Sequence, residues 1–184
     1  AEISEGVVTG LNDLYLLSSS DSVAQSTSVF KPCLRGRDIR RFSYTTPTEL
    51  LFYPYEDRAS RTVPFSEQRA KGLAPEFFKI LTKNKDRILG RGYFAKSSKK
   101  WFELWNQRKI RNFESEKVVT PELADHSRFS VANPGIYYGD TVCGIIPKGS
   151  EGPSAHSLVT ILNSSIVQWY YKKATVPKAN GFFI

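Results

Sequence analysis

Only two stretches of this chain carry a helical pattern of apolar residues, and everywhere else the β-prone runs are short and end at glycine or proline. The first stretch is Pro75 to Leu89 (PEFFKILTKNKDRIL). Pro75 and Glu76 suit a first helical turn, and Gly90 suits the end. Phe77, Ile80, Leu81, Ile88 and Leu89 form the apolar stripe, while Lys79, Lys83 and Arg87 fall four apart on another face. The second is Ser157 to Lys173 (SLVTILNSSIVQWYYKK), one helix or a pair. Its stripe is Leu158, Ile161, Leu162 and Ile166, with Ser154 or Ser157 as the cap and Lys172 and Lys173 at the negative end of the dipole.

Between and before these stretches the pattern is of strands and turns. Residues 6–18 read as a hairpin around Gly10 to Asp13. Ser18 to Ser28 reads as a polar loop, and Phe30 to Phe42 as a run broken by Pro32 and Gly36. Glu49 to Tyr55 is a strand ended near Pro54, and Asp57 to Gly72 is polar and irregular. Trp101 to Asn106 fits a short helix or a strand equally well. Val118–Val119, Phe129–Val131 and Thr141–Ile146 are short strands. Turns at Pro121, Asn133-Pro134-Gly135 and Tyr138-Gly139-Asp140 separate them. Short strands with segregated helices predict an α+β fold of mostly antiparallel sheets, with residues 1–184 as a single domain.

Charge is the second constraint. Lys79 to Arg111 holds eleven basic residues and two acids, Asp86 and Glu103, a net of +9, whereas the whole chain is +8. Tyr93, Phe94, Trp101, Phe102, Trp105 and Phe113 are interleaved with this segment. Clustered cations beside planar side chains suit a polyanion with stacked bases. The structural reading is a solvated basic face with the aromatics turned inward, Trp101 and Trp105 among them. No apolar run approaches the roughly 20 residues of a membrane helix, and no secretion leader opens the chain. Cys33 and Cys143 are too few for a disulfide framework or a structural zinc site, and their apolar contexts predict buried, reduced thiols and a cytoplasmic protein.

Chemistry is hard to find in the residues. His126 and His156 sit in polar, turn-like contexts without partners at ligand or triad spacing. No glycine-rich phosphate loop is present, and no Glu-x-Lys follows an Asp as a metal-dependent nuclease requires. Asn133-Pro134-Gly135-Ile136 fails at two positions the motif that grips a flipped base in amino methyltransferases. These features predict a binding module with no catalytic residues, cofactor site or metal site. The chain starts at Ala1, lacks methionine and ends on Gly181-Phe-Phe-Ile184, which suggests a piece of a longer protein.

Several segments come in an order that resembles a known family. They are Gly6-Val-Val-Thr-Gly-Leu-Asn-Asp13, Lys31-Pro-Cys-Leu-Arg-Gly-Arg-Asp-Ile39, Trp101-Phe-Glu-Leu104 and Lys117-Val-Val-Thr-Pro121. Phe129, then Tyr137 to Pro147, then Ile161-Leu-Asn-Ser164 follow. Together they resemble the TaqI-like C-terminal specificity domain, the target recognition domain of N6-adenine DNA methyltransferases and of fused type II restriction-modification enzymes. One departure is Glu116-Lys117-Val118, where the family usually has Pro-Lys-Ile/Val.

The resemblance implies a double-stranded DNA reader. It also implies a separate upstream methyltransferase domain, with S-adenosylmethionine bound there. Lys79, Lys83, Lys99 and Lys100 are then the phosphate contacts, with Lys109 in the same basic set. Arg40, Arg41, Arg108 and Arg111 are candidates for guanine readout, and Asn106 and Gln107 for adenine. Arg37 and Asp38 are expected to pair with each other and shape their loop. The same charge and aromatics also serve an RNA-binding domain, the alternative reading.

Overall fold

The structure is a computed structural model. It describes residues 1–92, 94–149, 152–175, 177–178 and 181–183, and for residues 95, 177–178 and 181–183 the backbone alone. Tyr93 and Ile184 therefore lie outside the described residues. The fold is α+β. One sheet joins β1 (Glu2–Glu5), β11 (Val142–Ile146), β7 (Lys117–Pro121) and β9 (Ser130–Ala132), all antiparallel. A second joins β10 (Tyr137–Tyr138), β3 (Phe30–Leu34), β4 (Glu49–Phe52) and β2 (Leu16–Ser18). Its β10–β3 edge is the single parallel pairing among the described strands. A hairpin of β5 (Tyr55–Arg58) and β6 (Arg61–Pro64), and a small sheet of β12 (Pro177–Lys178), β13 (Gly181–Phe183) and β8 (Leu123–Ala124), complete the β part.

Aromatic packing holds the sheets together. Phe30, Phe52 and Phe77 meet with centroids 4.7–5.5 Å apart, so α4 (Pro75–Lys83) is fixed onto the second sheet. Phe113 of α6 (Ile110–Glu114) stacks on Tyr137 at 4.2 Å. A separate small core forms where α7 (Ala155–Leu162) covers the first sheet through Val118, Phe129, Ala155 and Val159. Ser154 and Ser164 cap α7 and α8 (Ser165–Ala174), so the second periodic stretch is a pair of helices.

Several expectations are corrected by tertiary contacts. The hairpin expected over 6–18 does not form. Val7 and Val8 bridge to Gly139 and Asn106, Asn12–Tyr15 is one helical turn (α1), and β2 pairs with β4. A short helix, α2 (Ser22–Gln25), interrupts the polar loop because the Asp21 carboxylate accepts from the amides of Val23 and Ala24. The segment from Asp57 to Gly72 is ordered into the β5–β6 hairpin and α3 (Glu67–Leu73). Its turn places Ala59 and Ser60 in left-handed conformations, φ 50° and 64°, without the usual Asn-Gly signal. The first helical stretch breaks at Asn84 into α4 and α5 (Lys85–Leu89). Phe78 is buried instead of Ile80 and Leu89, which are 39% and 44% exposed. Trp101 to Asn106 is neither helix nor strand. Cys33 is fully buried and Cys143 half-buried, and burial raises both thiols' pKa, Cys33 to about 12.

Candidate nucleic-acid interface

The basic segment is partly neutralised in space. Acids from the start of the chain and from the adjacent helix meet it. Arg87 pairs with Asp13 at 2.6 Å and Lys79 with Glu76 at 2.8 Å. Arg108 reaches Glu5 at 2.7 Å, and Lys109 and Arg111 reach Glu2 at 2.9 and 3.3 Å. The hydrogen bonds from Lys109 and Asn112 hold the Glu2 carboxyl below the usual range. Lys99 donates to Gln107 at 2.9 Å, and Lys100 to the carbonyl of Phe65 at 2.6 Å. At the centre of the segment Arg91 is buried and donates to the carbonyls of Ile88, Thr9 and Glu103. Trp101 packs edge-on to Phe78 with Lys85 above its ring. Asn106 is exposed, but its backbone is taken by Val8. Among the described residues Lys83 makes no ion pair, and it is exposed.

The residues expected as readers therefore divide. Lys79 and Lys83 share the outer face of α4. Arg108, Lys109 and Arg111 fasten β1 and the residues after it to the body of the fold. Arg108 also donates to the Gly6 carbonyl at 2.9 Å. Replacing Arg108 with Ala should lower stability by about 1–2 kcal/mol, because the carbonyl of the buried Gly6 loses its donor together with a partly screened ion pair. Urea unfolding measures this. Unchanged stability with loss of sequence preference would instead restore Arg108 to the reading surface.

A second cationic region is assembled from parts the sequence keeps far apart. Residues 35–41 (RGRDIRR) hold four arginines in seven positions. Asp38 shapes this loop by accepting from the Arg35 amide at 2.7 Å, and its carbonyl accepts from Thr45 at 2.9 Å. Arg37 sits 4.0 Å from Asp38 but pairs more closely with Glu49, at 2.7 Å, so the expected Arg37–Asp38 pair is the weaker contact. Arg40 folds its guanidinium onto the carbonyls of Arg37 and Ile39. Phe42, 54% exposed and left-handed at φ 67°, is tied to the second core by its N–H, which donates to the Phe129 carbonyl at 2.9 Å.

Two concavities flank the 121–128 segment beside this loop. One, of about 630 Å³, is lined by Arg35, Arg37, Arg128, Glu122 and Thr141 among others. The other, of about 280 Å³, is lined by Arg41, His126, Ser127, Asn163, Ser165, Gln168 and Lys172. Arg35, Arg128, His126 and Lys172 were not among the sequence candidates. Their only sequence signal is the arginine density of the 35–41 loop, since the 121–128 segment and α8 join it through folding. His126 is exposed and lies 2.7 Å from Asp125.

The model of the TaqI-like C-terminal specificity domain matches residues 31–183. The chain belongs to that family. No curated protein matches it. As a specificity domain of this kind it recognises DNA in a restriction-modification setting and is not itself a catalytic unit. Among the described residues of this specificity domain, no helix is long and apolar enough to cross a membrane.

Proposed function

We propose that this specificity domain reads a particular double-stranded DNA sequence and holds the duplex so that an upstream methyltransferase domain, carrying S-adenosylmethionine, modifies one adenine at N6. The family match over 31–183 carries this reading. Flipping one adenine requires the duplex to be held in fixed register, and a rigid recognition domain beside the catalytic one supplies that. The exposed α4 lysines contact phosphates, Lys83 directly and Lys79 on leaving Glu76. Arg40, on the Asp38-braced loop, is the base-reading candidate, by releasing its bonds to its own loop, whereas Arg41 donates to the Asn163 carbonyl and lines the concavity beside α8. Asn106 is exposed and open to the duplex, while Lys99, Lys100, Gln107, Lys109 and Arg111 contribute there only by exchanging their present partners for it. The implied cellular location is the cytoplasm, where the target DNA lies.

The test is affinity for a randomised duplex pool, followed by anisotropy titrations of selected and scrambled duplexes over a salt series. One duplex sequence should be preferred. Replacing Lys79 and Lys83 together with Ala should weaken all duplexes alike and reduce the salt slope by about 2. Equal binding of every duplex, or preference for an RNA hairpin, would overturn the reading.

A further inference from the structure

The smaller concavity differs from three others among the described residues in the chemistry of its walls. Each of those three includes a glutamate: Glu122 in the one of about 630 Å³, Glu2 and Glu5 in the second, Glu116 in the third. The one beside α8 includes none, and it gathers Arg41, Lys172 and His126. Its volume of about 280 Å³ falls just below the roughly 300–1,000 Å³ of common small-molecule sites, so a compact group suits it.

The walls are held in place by buried bonds. Asn163, 2% exposed, accepts from the Phe129 amide at 3.0 Å and donates to its carbonyl at 2.8 Å. The Asn163 carbonyl in turn accepts from Arg41 at 2.7 Å, which sets the guanidinium at the rim. Gln168 accepts from the Ser127 amide. Ser165, also in the wall, is the first residue of α8, where helix amides lack intrahelical partners and the dipole is positive. Ser127 supplies the independent observation. It is 3% exposed, it lines this concavity, and its hydroxyl has no hydrogen-bond partner among the described residues. A buried hydroxyl left unpaired costs stability unless something occupies the space it faces.

We propose that this concavity, between Arg41, the 126–127 segment and the first turn of α8, is a phosphate site that grips one backbone phosphodiester of the bound nucleic acid. The site rests on the DNA-reading function for its ligand's source, and on its own geometry for the phosphate. Arg41 and Lys172 supply charge, and Ser127 and the α8 amides supply donors to the phosphate oxygens. Such a contact fixes register without reading a base.

The experiment uses the full chain and two probes, inorganic phosphate and the selected duplex. Phosphate should shift the amide resonances of Ser127, Ser165 and Ile166 in a saturable way, and Ser127→Ala should weaken that binding without lowering the melting temperature. Lys172→Ala should weaken every duplex about tenfold and reduce the salt slope by about one. If wild type binds its duplex and Lys172→Ala binds it equally well with the same slope, the site is wrong while the DNA reading stands. If phosphate moves these amides but no duplex binds, the site stands and the DNA reading fails. If neither probe moves them, or if phosphate shifts amides over the whole surface without saturating, the site is overturned.

Discussion

Gly6→Ala is expected to lose at least about 3 kcal/mol of stability, a large part of what a domain of this size has. A Cβ at Gly6 would lie 1.8 Å from the Gly139 carbonyl oxygen and 2.4 Å from its carbon. Those are backbone atoms, so no side-chain rotation relieves the overlap. The segment cannot simply move away either. The Val7 amide donates to the Tyr138 carbonyl at 2.9 Å, and the Gly139 amide to the Leu34 carbonyl at 3.0 Å. This is where the chain leaves β1 of one sheet and crosses beside β10 of the other. The control is Gly72→Ala in α3, where an added Cβ meets nothing within 4 Å. That change should be neutral or add about 0.5–1 kcal/mol, since alanine is the better helix former. Urea midpoints of the two variants decide the matter. Equal stabilities would mean that residues 6–8 do not pass between the sheets.

Lys117→Met should cost about 2–3 kcal/mol at pH 7, and the deficit should grow as the pH rises. Lys117 stands in β7 opposite Ala132, is fully buried, and donates to the carbonyls of Phe113, Ser115 and Asn133 at 2.6, 3.1 and 2.9 Å. The Met side chain fills similar space but leaves those acceptors short of a donor. Burial pulls the lysine down from 10.5 to about 8, with Glu114 opposing. Between these two values the unfolded chain keeps the proton that the folded chain has released. Wild-type stability therefore gains from this group with rising pH, by at most about 1.4 kcal/mol per unit, and the full gain is reached above 10.5. Below pH 8 both states hold the proton and the gap is flat. Tyrosines and cysteines titrate in both proteins, so their effects cancel in the difference. Unfolding series at pH 7, 8, 9 and 10 measure the gap. A constant gap would place the ammonium in water.

Much of the fold was legible locally. The two helical stretches, the cap at Ser154, the proline in the first turn of α4, and the strands over 117–121 and 142–146 are set by neighbours within a few residues, whereas Ile80, Leu89, Ile161 and Ile166 of the expected stripes are exposed. Propensity and capping operate at that range. The ordered segments behind the family resemblance also have a physical reason in the structure. Gly6 permits a backbone crossing, Asp38 braces the arginine loop, Lys117 ties three carbonyls and Asn163 locks α7 to β9. The β5–β6 hairpin was missed because Ala59 and Ser60 adopt a turn that other residues adopt more readily. The hairpin expected over 6–18 failed because the long-range partners of Val7 and Val8, Gly139 and Asn106, outbid local pairing.

The interface was the harder part. A run of eleven basic residues gives a fully available positive surface only if no distant acid folds against it, and Glu2, Glu5 and Asp13 take up four of its cations. The sequence alone determined the fold class, the helical stretches over 75–89 and 155–174 and the family's ordered segments, because these depend on local pattern. The tertiary structure alone decided which cations stay available and that Arg41, Ser127 and Lys172 share one concavity, because Coulomb attraction and burial depend on distances in space that the order of residues does not contain.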